Sequence, residues 1–174
     1  MSTKTIVATD HDIQVELVGY MARLWRYGLL LSRQKDVAEE LVQATCLRAM
    51  ERSRQYQPGT RLDRWLFSIL HSIWIDEVRT RRVGIGQGYV DAETALVVDG
   101  QRDIETRMLA NQILRKVDAL PEAQRSAVFL TYVEGFSYQE VSELLSIPIG
   151  TVMSRLASAR LKLATDETGN IRAS

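Results

Sequence analysis

The stretch from Gly135 to Ala164 reads GFSYQEVSELLSIPIGTVMSRLASARLKLA, and its spacing sets the architecture of the C-terminal part of the chain. Ser137 and Glu140 are placed as in a capping box, in which each side chain accepts a hydrogen bond from the other residue's backbone amide at the start of a helix. Apolar residues then recur at helical spacing until Pro148, which cannot continue a helix. The pattern predicts a short helix, a turn and a second helix, which together make a helix-turn-helix.

The second of these helices has two faces of different chemistry. The predicted buried face holds Val152, Leu156, Ala159 and Leu163, and the other face holds Thr151, Ser154, Arg155, Ser158 and Lys162. Hydroxyl and guanidinium groups on such a strip reach phosphates and base edges when a helix lies in the major groove of DNA. The alternative is an amphipathic helix whose cations only complement its C-terminal dipole. The proline-containing turn and the absence of acids between Gly150 and Ala164 favour the DNA-binding interpretation.

The composition limits the class of protein. The 174 residues carry 22 basic and 22 acidic side chains, so any contact with nucleic acid must come from local patches rather than from bulk charge. Cys46 is the single cysteine and has no partner in the sequence for a disulfide, which suits a reducing compartment. No apolar run approaches the roughly 20 residues that span a bilayer, and the N-terminal residues lack the apolar core of a signal peptide. We therefore expect a cytoplasmic protein.

Two bundle helices are predicted in the N-terminal part. Helix-start chemistry at Thr9, Asp10 and Asp12 precedes a helix to about Ser32, whose predicted buried stripe is Val15, Val18, Met21, Trp25 and Leu29. Asp36 and Glu39 predict the cap of a second helix to about Glu51, with Val37, Leu41, Thr45 and Ala49 facing inward. Glu39, Glu40 and Gln43 lie on its outward side, where the spacing alone favours a solvated face that complements the helix dipole.

A third helix is predicted from Leu62 to about Arg82, after the polar loop RSRQYQPGT at residues 52–60. Its predicted inward residues are Trp65, Leu66, Ile69 and Ile73, and Arg79, Arg81 and Arg82 make its end basic. The arginines suit a helix C-terminus in any protein. They also suit a phosphate-contacting ridge beside Tyr56, an aromatic residue that could stack on an unpaired base. The residues alone do not decide between these interpretations.

The helical periodicity fails from Val83 to Asp103, where four glycines and four acids accompany a single base. This composition predicts an acidic, flexible linker, either a passive tether or a docking segment. A fourth helix is predicted from Ile104 to Ala119, and a fifth begins with Pro121 as its first residue and ends near Gly135. The expected domains are therefore residues 10–82 and 104–165, joined by residues 83–103.

Two long segments resemble bacterial sigma factors. DVAEELVQATCLRA at residues 36–49, with LDRWLFSILHSIWIDEVRTRR at residues 62–82, resembles their second conserved region. LPEAQRSAVFLTYVEGFSYQEVSELLSIPIGTVMSRLASARLKL at residues 120–163 resembles their fourth region. The order and the short linker, with no third region between, are typical of the extracytoplasmic-function group. The resemblance implies an all-α fold of two small domains, a three-helix bundle and a helix-turn-helix domain, joined by a flexible linker.

The resemblance also implies roles for particular residues. In such proteins the second helix docks on the clamp helices of the largest polymerase subunit, and the matching residues are Asp36, Glu39, Glu40, Leu41 and Gln43. This match reverses the interpretation of the acids as a merely solvated face. The minus-10 promoter element would be captured and melted by Tyr56, Ser72, Arg79, Arg81 and Arg82. The minus-35 element would be read or gripped by Thr151, Ser154, Arg155, Ser158, Arg160 and Lys162.

The partners implied by the resemblance are core RNA polymerase, through its clamp helices and flap, promoter DNA, and an anti-sigma factor, which is often membrane-anchored. The sequence also departs from the family. His71 and Ser72 stand where Arg-Asn is usual, and Met153, Ala157 and Ser158 stand where basic or larger side chains are common. The promoter sequence therefore cannot be transferred from relatives.

The sequence carries no pattern of an enzyme. The two histidines, His11 and His71, are far apart, Cys46 has no neighbouring histidine, and no phosphate-binding glycine-rich loop precedes a helix. We predict no catalytic activity, no cofactor, no metal ligands and no small-molecule substrate. The alternative to a sigma factor is a sigma-like mimic that binds an anti-sigma factor without activating transcription.

Overall fold

The computed structural model describes residues 10–57, 59–84 and 115–168. Its regular elements are all helical, which confirms the all-α fold class. They are α1 (Asp10–Ser32), α2 (Lys35–Glu51), a 3-10 turn (Ser53–Gln55), α3 (Leu62–Gly84), α4 (Glu122–Val128), a π-helical turn (Phe129–Val133), α5 (Tyr138–Leu145) and α6 (Ile149–Thr168). No helix in these ranges is long and apolar enough to cross a membrane.

The chain divides into two compact units, Met1–Asp91 and Ala92–Ser174. The N-terminal unit contains α1 to α3, and the C-terminal unit contains α4 to α6. Most of the predicted linker at residues 83–103 and of the predicted fourth helix at residues 104–119 lies outside the described residues; within the latter, residues 115–118 are helical. The predicted cap residue Thr9 also lies outside the described residues, as do the side chains of Asp10 and Asp12.

The inward face of α1 differs from the predicted stripe. Leu17 and Leu24 are buried, whereas Val15, Val18 and Met21 are exposed, so the prediction for these three residues was wrong. The cause is that α1 carries apolar residues on two faces, and periodicity does not say which face packs. The predicted inward face of α2 is confirmed, because Val37, Leu41, Thr45 and Ala49 are all buried.

The turn between α1 and α2 brings these helices close together. Ser32, rather than Asp36, closes it: the Ser32 hydroxyl donates to the Gln34 carbonyl at 3.0 Å and accepts from the Gln34 amide at 3.2 Å. Gln34 is the N-cap and makes no side-chain cap, so the predicted Asp36 cap was wrong. Further along, a Cβ on Gly28 would lie 3.3 Å from the Cα and carbonyl oxygen of Ala38, so glycine permits the close approach of α2.

The C-terminal unit contains the predicted helix-turn-helix. The Glu140 amide donates to the Ser137 hydroxyl at 3.2 Å and the Ser137 amide donates to the Glu140 carboxylate at 2.8 Å, which confirms the capping box. α5 ends before Ser146, whose φ of 53° turns the chain, and the Ser142 hydroxyl donates to the Ile147 carbonyl at 2.6 Å. These hydrogen bonds fix the direction in which α6 leaves the turn. Its predicted inward residues Val152, Leu156 and Ala159 are fully buried.

A buried cation holds the start of α4. Arg125 is only 4% exposed, and its Nη1 donates to the carbonyls of Asp118 and Leu120, both at 3.1 Å. The guanidinium thus satisfies carbonyls at the end of the helical turn at residues 115–118, where no further helical amide is available. Pro121 is the N-cap of α4 and not its first residue, one position from the prediction. Gly135 has a φ of 74° and follows the π-helical turn, as expected of a glycine that ends a helix.

Candidate nucleic-acid and protein interfaces

The solvent side of α6 carries two parallel rows of side chains. Residues four apart lie above one another on a helix. The polar ridge consists of the exposed Ser154 and Lys162 and the half-buried Ser158, with Thr151 and Arg155, also half-buried, along its edge. The apolar ridge consists of Met153, Ala157 and Leu161, all exposed. The polar ridge brings five of the six predicted minus-35 residues to one side of α6, and it contains no acid.

Arg160 is the member of that set that lies apart from the polar ridge. Its Nε donates to the Leu156 carbonyl at 3.4 Å, and its charge lies near the side chain of Tyr132. A hydrogen bond with Tyr138 and partial burial raise the pKa of Tyr132, and the nearby Arg160 charge opposes that rise. Arg160 therefore belongs to a tyrosine–arginine cluster beside α6.

One face of the N-terminal unit joins the loop at residues 52–60 to α3. The Tyr56 ring lies 5.4 Å from that of Trp65, and the Tyr56 hydroxyl donates to the Thr60 carbonyl at 2.7 Å. Ser72 and Arg79 follow Trp65 at seven-residue intervals, so all three share one face of α3. Both are exposed, and this face therefore brings together three of the five predicted minus-10 residues. The side chains of the other two, Arg81 and Arg82, lie outside the described residues.

Trp65 and His71 lie on different sides of α3. Trp65 was predicted to pack inward, but it is only half-buried and stands beside Tyr56. Its seven-residue spacing from Ser72 was the signal that could have placed it on this face. His71, in contrast, turns toward α1: its Nδ1 lies 3.0 Å from the Tyr27 hydroxyl, and their rings stack at 6.3 Å.

A charged network anchors the loop to the bundle at the start of α3. The buried carboxylate of Asp63 accepts hydrogen bonds from Arg61 at 2.8 and 3.1 Å, from the Arg64 amide at 2.8 Å and from Arg23 of α1 at 3.2 Å. Burial alone would raise the pKa of Asp63, but these hydrogen bonds and the Arg61 charge outweigh burial and lower it. The network therefore requires an ionised Asp63. Local sequence patterns do not reveal this network, because Arg23 and Asp63 are 40 residues apart.

The outward face of α2 is acidic at its start and apolar at its end. Asp36, Glu39, Glu40 and Gln43 are exposed, and Leu47 and Met50 continue the exposed face toward the C-terminus. Leu41 differs from the other predicted polymerase-binding residues, since it is only 1% exposed and packs inside the bundle. Its inclusion in a contact surface was wrong for that reason. Exposed apolar residues beside charges are typical of protein-binding surfaces, and Leu47 and Met50 were missed by the sequence reasoning.

The described residues contain no group of three or more histidine, cysteine, aspartate or glutamate side chains that could hold a metal ion. Cys46 is half-buried on α2, and burial raises the pKa of its thiol despite an opposing backbone hydrogen bond. A raised pKa lowers the thiolate fraction and hence the reactivity of this cysteine.

Comparison with known proteins gives matches over both units. The family model "Sigma-70 region 2" matches residues 17–83, and "Sigma-70, region 4" matches residues 110–163. The ECF RNA polymerase sigma factor EcfG of Rhodopseudomonas palustris is 31% identical over 153 residues, which are 88% of this chain and 83% of that protein. The ECF RNA polymerase sigma factor SigL of Mycobacterium tuberculosis is 30% identical over 156 residues, 88% of each chain.

A solved structure is similar in fold. The sigma factor RpoE from Bartonella quintana, crystallised in complex with the anti-sigma factor NepR, superposes with a TM-score of 0.68 at 28% identity. The match covers 87% of this chain and 94% of that chain.

Proposed function

The chain belongs to the sigma-70 family, as an extracytoplasmic-function sigma factor, and from this membership we propose which of its surfaces bind polymerase and promoter DNA. Its function is to direct transcription initiation as an alternative sigma factor. We propose that residues 10–82 bind core polymerase and the minus-10 element, that residues 104–165 bind the minus-35 element, and that residues 83–103 link them.

The minus-35 surface is the polar ridge of α6. The observation that carries this proposal is an acid-free row of hydroxyl and basic groups on the side of α6 opposite the buried Val152, Leu156 and Ala159. Arginine and serine at base-edge depth can donate to guanine or adenine acceptors, while Lys162 near the C-terminal end reaches a phosphate. Arg160, on the side of the tyrosine cluster, would contact a phosphate outside the polar ridge.

The minus-10 surface is the face formed by Tyr56, Trp65, Ser72 and Arg79; the family resemblance adds Arg81 and Arg82, whose side chains lie outside the described residues. Aromatic rings stabilise an unpaired base by stacking, a contribution of about 1–3 kcal/mol per base. Tyr56 and Trp65 lie together at the edge of α3, and Arg79 lies on the same side to hold the backbone of the separated strand. The Asp63 network keeps the aromatic pair in place by fixing the start of α3.

The polymerase-binding surface is the outward face of α2, made of Asp36, Glu39, Glu40 and Gln43 and extended by Leu47 and Met50. Carboxylates speed the encounter with a basic partner surface, and the two apolar side chains provide area that becomes buried on docking. The clamp helices of the largest polymerase subunit are the partner proposed for this surface, and the flap is the partner proposed for residues 104–165.

Polymerase is needed because the DNA-binding surfaces are weakly charged. If Arg155, Arg160 and Lys162 neutralise about three phosphates, the affinity falls only about forty-fold between 50 and 200 mM salt, which indicates a modest electrostatic attraction. The formal net charge of the chain is zero, so bulk attraction adds nothing. Attachment to polymerase gives both DNA-binding surfaces a high effective concentration at the promoter, and their weak preferences combine.

An anti-sigma factor is the proposed regulator. The similar RpoE of Bartonella quintana binds NepR in its crystal structure, and we propose that this chain is also held inactive by a protein of that class. The site of action that we propose is the cytoplasm, and the chain acts by binding and not by catalysis.

Run-off transcription with core polymerase and the promoter of the chain's own operon tests the function. We expect a promoter-dependent product that needs the added chain and is weakened by Arg155→Ala, through a loss of about 1–3 kcal/mol if Arg155 contacts a base. Arg26→Ala, which removes an exposed arginine of the other unit, is the matched control. If the wild-type protein binds an anti-sigma factor but gives no promoter-dependent product, the result favours the sigma-like mimic.

A pull-down with core polymerase tests the α2 surface separately. Glu39→Lys combined with Glu40→Lys should lower the affinity for core polymerase while leaving the circular dichroism spectrum and the unfolding midpoint unchanged. Glu16→Lys combined with Asp76→Lys makes the same charge change at exposed acids of α1 and α3, outside the proposed α2 surface, and should bind as wild type. Equal binding by both double variants would remove the surface from the proposal.

A further inference from the structure

We propose that Met153 is a specificity-determining residue, which reads the methyl group of a thymine in the minus-35 element. This inference rests on the proposed function and adds to it the class of base pair that α6 selects. It concerns the apolar ridge, which takes no part in the proposed contacts of the polar ridge.

The exposure of Met153 is unusual for its position. The side chain is large and apolar but 48% exposed. It is not needed in the core beneath α6, because Val152, Leu156 and Ala159 fill that core. The next two members of the apolar ridge, Ala157 and Leu161, are exposed as well. An apolar row that stabilises no core and runs beside the polar ridge is available to a ligand that approaches α6 from the solvent side.

The position of Met153 along α6 brings it to the depth of base edges. It is the fifth residue of a helix that begins at Ile149, and the N-terminal residues of a recognition helix are the ones that reach the bases. Its neighbours one turn away on α6 are small: Gly150 has no side chain and open space where a Cβ would lie, and the side chain of Ala157 ends at its Cβ. Met153 therefore projects beyond Gly150 and Ala157, its small neighbours on this side of α6.

The chemistry of a thioether selects one feature of the major groove. Among the four bases only thymine presents an apolar group there, its C5 methyl, while the others present hydrogen-bond donors and acceptors. Methionine is apolar, unbranched and flexible, so it can cover a methyl group whose position is not held by a hydrogen bond. A lysine or arginine at this position would instead prefer the acceptors of guanine. Met153 thus favours an A·T pair with its thymine methyl facing the apolar ridge.

Replacing each thymine of the minus-35 element by deoxyuridine removes only the methyl group and tests this contact. The minus-35 element is first selected with wild-type holoenzyme from a randomised library, and holoenzyme affinity is then measured for each substituted duplex. We expect deoxyuridine at one or two positions to weaken binding about four-fold, the effect of burying one methyl group. With Met153→Ala holoenzyme, the same substitution should change the affinity less than about 1.5-fold.

Met21→Ala is the matched control, because Met21 is 45% exposed and lies in the other unit. That variant should retain the full deoxyuridine penalty. Three results overturn the inference: a selected element without any A·T requirement, wild-type binding that ignores deoxyuridine at every position, or an equal penalty in Met153→Ala and wild type. Holoenzyme that selects no sequence at all would overturn the proposed function together with the inference, whereas normal selection with one of those three results overturns the inference alone.

Discussion

Replacing Asp63 by asparagine removes the charge at the centre of the network that joins α1, the loop at residues 52–60 and α3. Asparagine keeps the shape and one carbonyl oxygen, so the hydrogen bond from the Arg64 amide can remain. Its amide nitrogen, in place of Oδ2, donates and cannot accept, so it faces the Nη2 groups of Arg23 and Arg61 with the wrong polarity. The expected result is a less stable N-terminal unit with an unchanged fold.

The magnitude follows from the exposure of the two arginines. The Arg61 side chain is 46% exposed, so solvent screens its ion pair with Asp63, which we expect to contribute about 0.5 kcal/mol. The Arg23 side chain is 27% exposed and lies over the rings of Tyr20 and Phe67 at 5.3 and 5.6 Å, so its hydrogen bond should contribute about 1–2 kcal/mol. Asp63→Asn should therefore lower the free energy of unfolding of this unit by about 2 kcal/mol.

Tryptophan fluorescence measures this unit selectively, because the three tryptophans, at positions 25, 65 and 74, all lie in it. Urea unfolding followed at the tryptophan emission should give a midpoint lower by about 1–2 M for Asp63→Asn. Asp76→Asn is the matched control: Asp76 is an exposed acid of the same helix, and its replacement should change the free energy of unfolding by less than about 0.5 kcal/mol.

The pH dependence supplies a second criterion. The pKa of Asp63 is lowered in the folded unit, so its stabilising effect is complete above the unfolded value of about 3.9 and is lost as the pH falls through the folded pKa. The difference between wild type and Asp63→Asn should therefore be constant from about pH 8 to pH 5 and shrink below about pH 4. Equal stability at pH 7, or a difference that persists unchanged in acid, would refute the assignment of a stabilising charge to Asp63.

Three further changes test the packing of the two units. Ser137→Ala should cost the C-terminal unit about 1 kcal/mol through loss of the capping box, measured by circular dichroism during urea unfolding, and an unchanged midpoint would contradict the role of the cap. Arg125→Leu should cost about 2–3 kcal/mol in the same assay, because the carbonyls of Asp118 and Leu120 lose their donor; a stable variant would show that water replaces it. Gly28→Val should cost the N-terminal unit about 1–3 kcal/mol by tryptophan fluorescence, since the added atoms meet α2, and a stabilised variant would mean that the helices separate freely.

The sequence predicted elements that local chemistry specifies. The capping box at Ser137 and Glu140 and the turn at Pro148 involve neighbours within a few residues, and the predicted inward row Val152, Leu156 and Ala159 of α6 is fully buried. The polar ridge was predictable for the same reason, since a helix with one buried side leaves the other side exposed.

The structure differs from the sequence-based predictions where residues far apart in the sequence determine the packing. Helix α1 has two apolar faces, and only its packing against α2 and α3 buries Leu17 and Leu24 instead of Val15 and Val18. The pairing of Arg23 with Asp63 spans 40 residues and follows no local spacing. Ser32 replaced the predicted cap at Asp36 because the turn geometry brought its hydroxyl to Gln34. The half-buried position of Trp65 likewise depends on the loop residue Tyr56, which packs against it.

The residues of the two ridges of α6 do not pack in the core of the C-terminal unit. The α6 side chains in that core, Val152, Leu156 and Ala159, lie on another side of the helix. Under the proposed minus-35 assignment, a substitution at a ridge position would therefore change which promoters are selected while the folded protein remains equally abundant. The proposed polymerase-binding surface of α2 belongs to the other unit, so such a substitution leaves its residues unchanged. Duplicated genes of this kind should accordingly acquire new regulons through a few substitutions at one end of the chain, with the polymerase contact left intact.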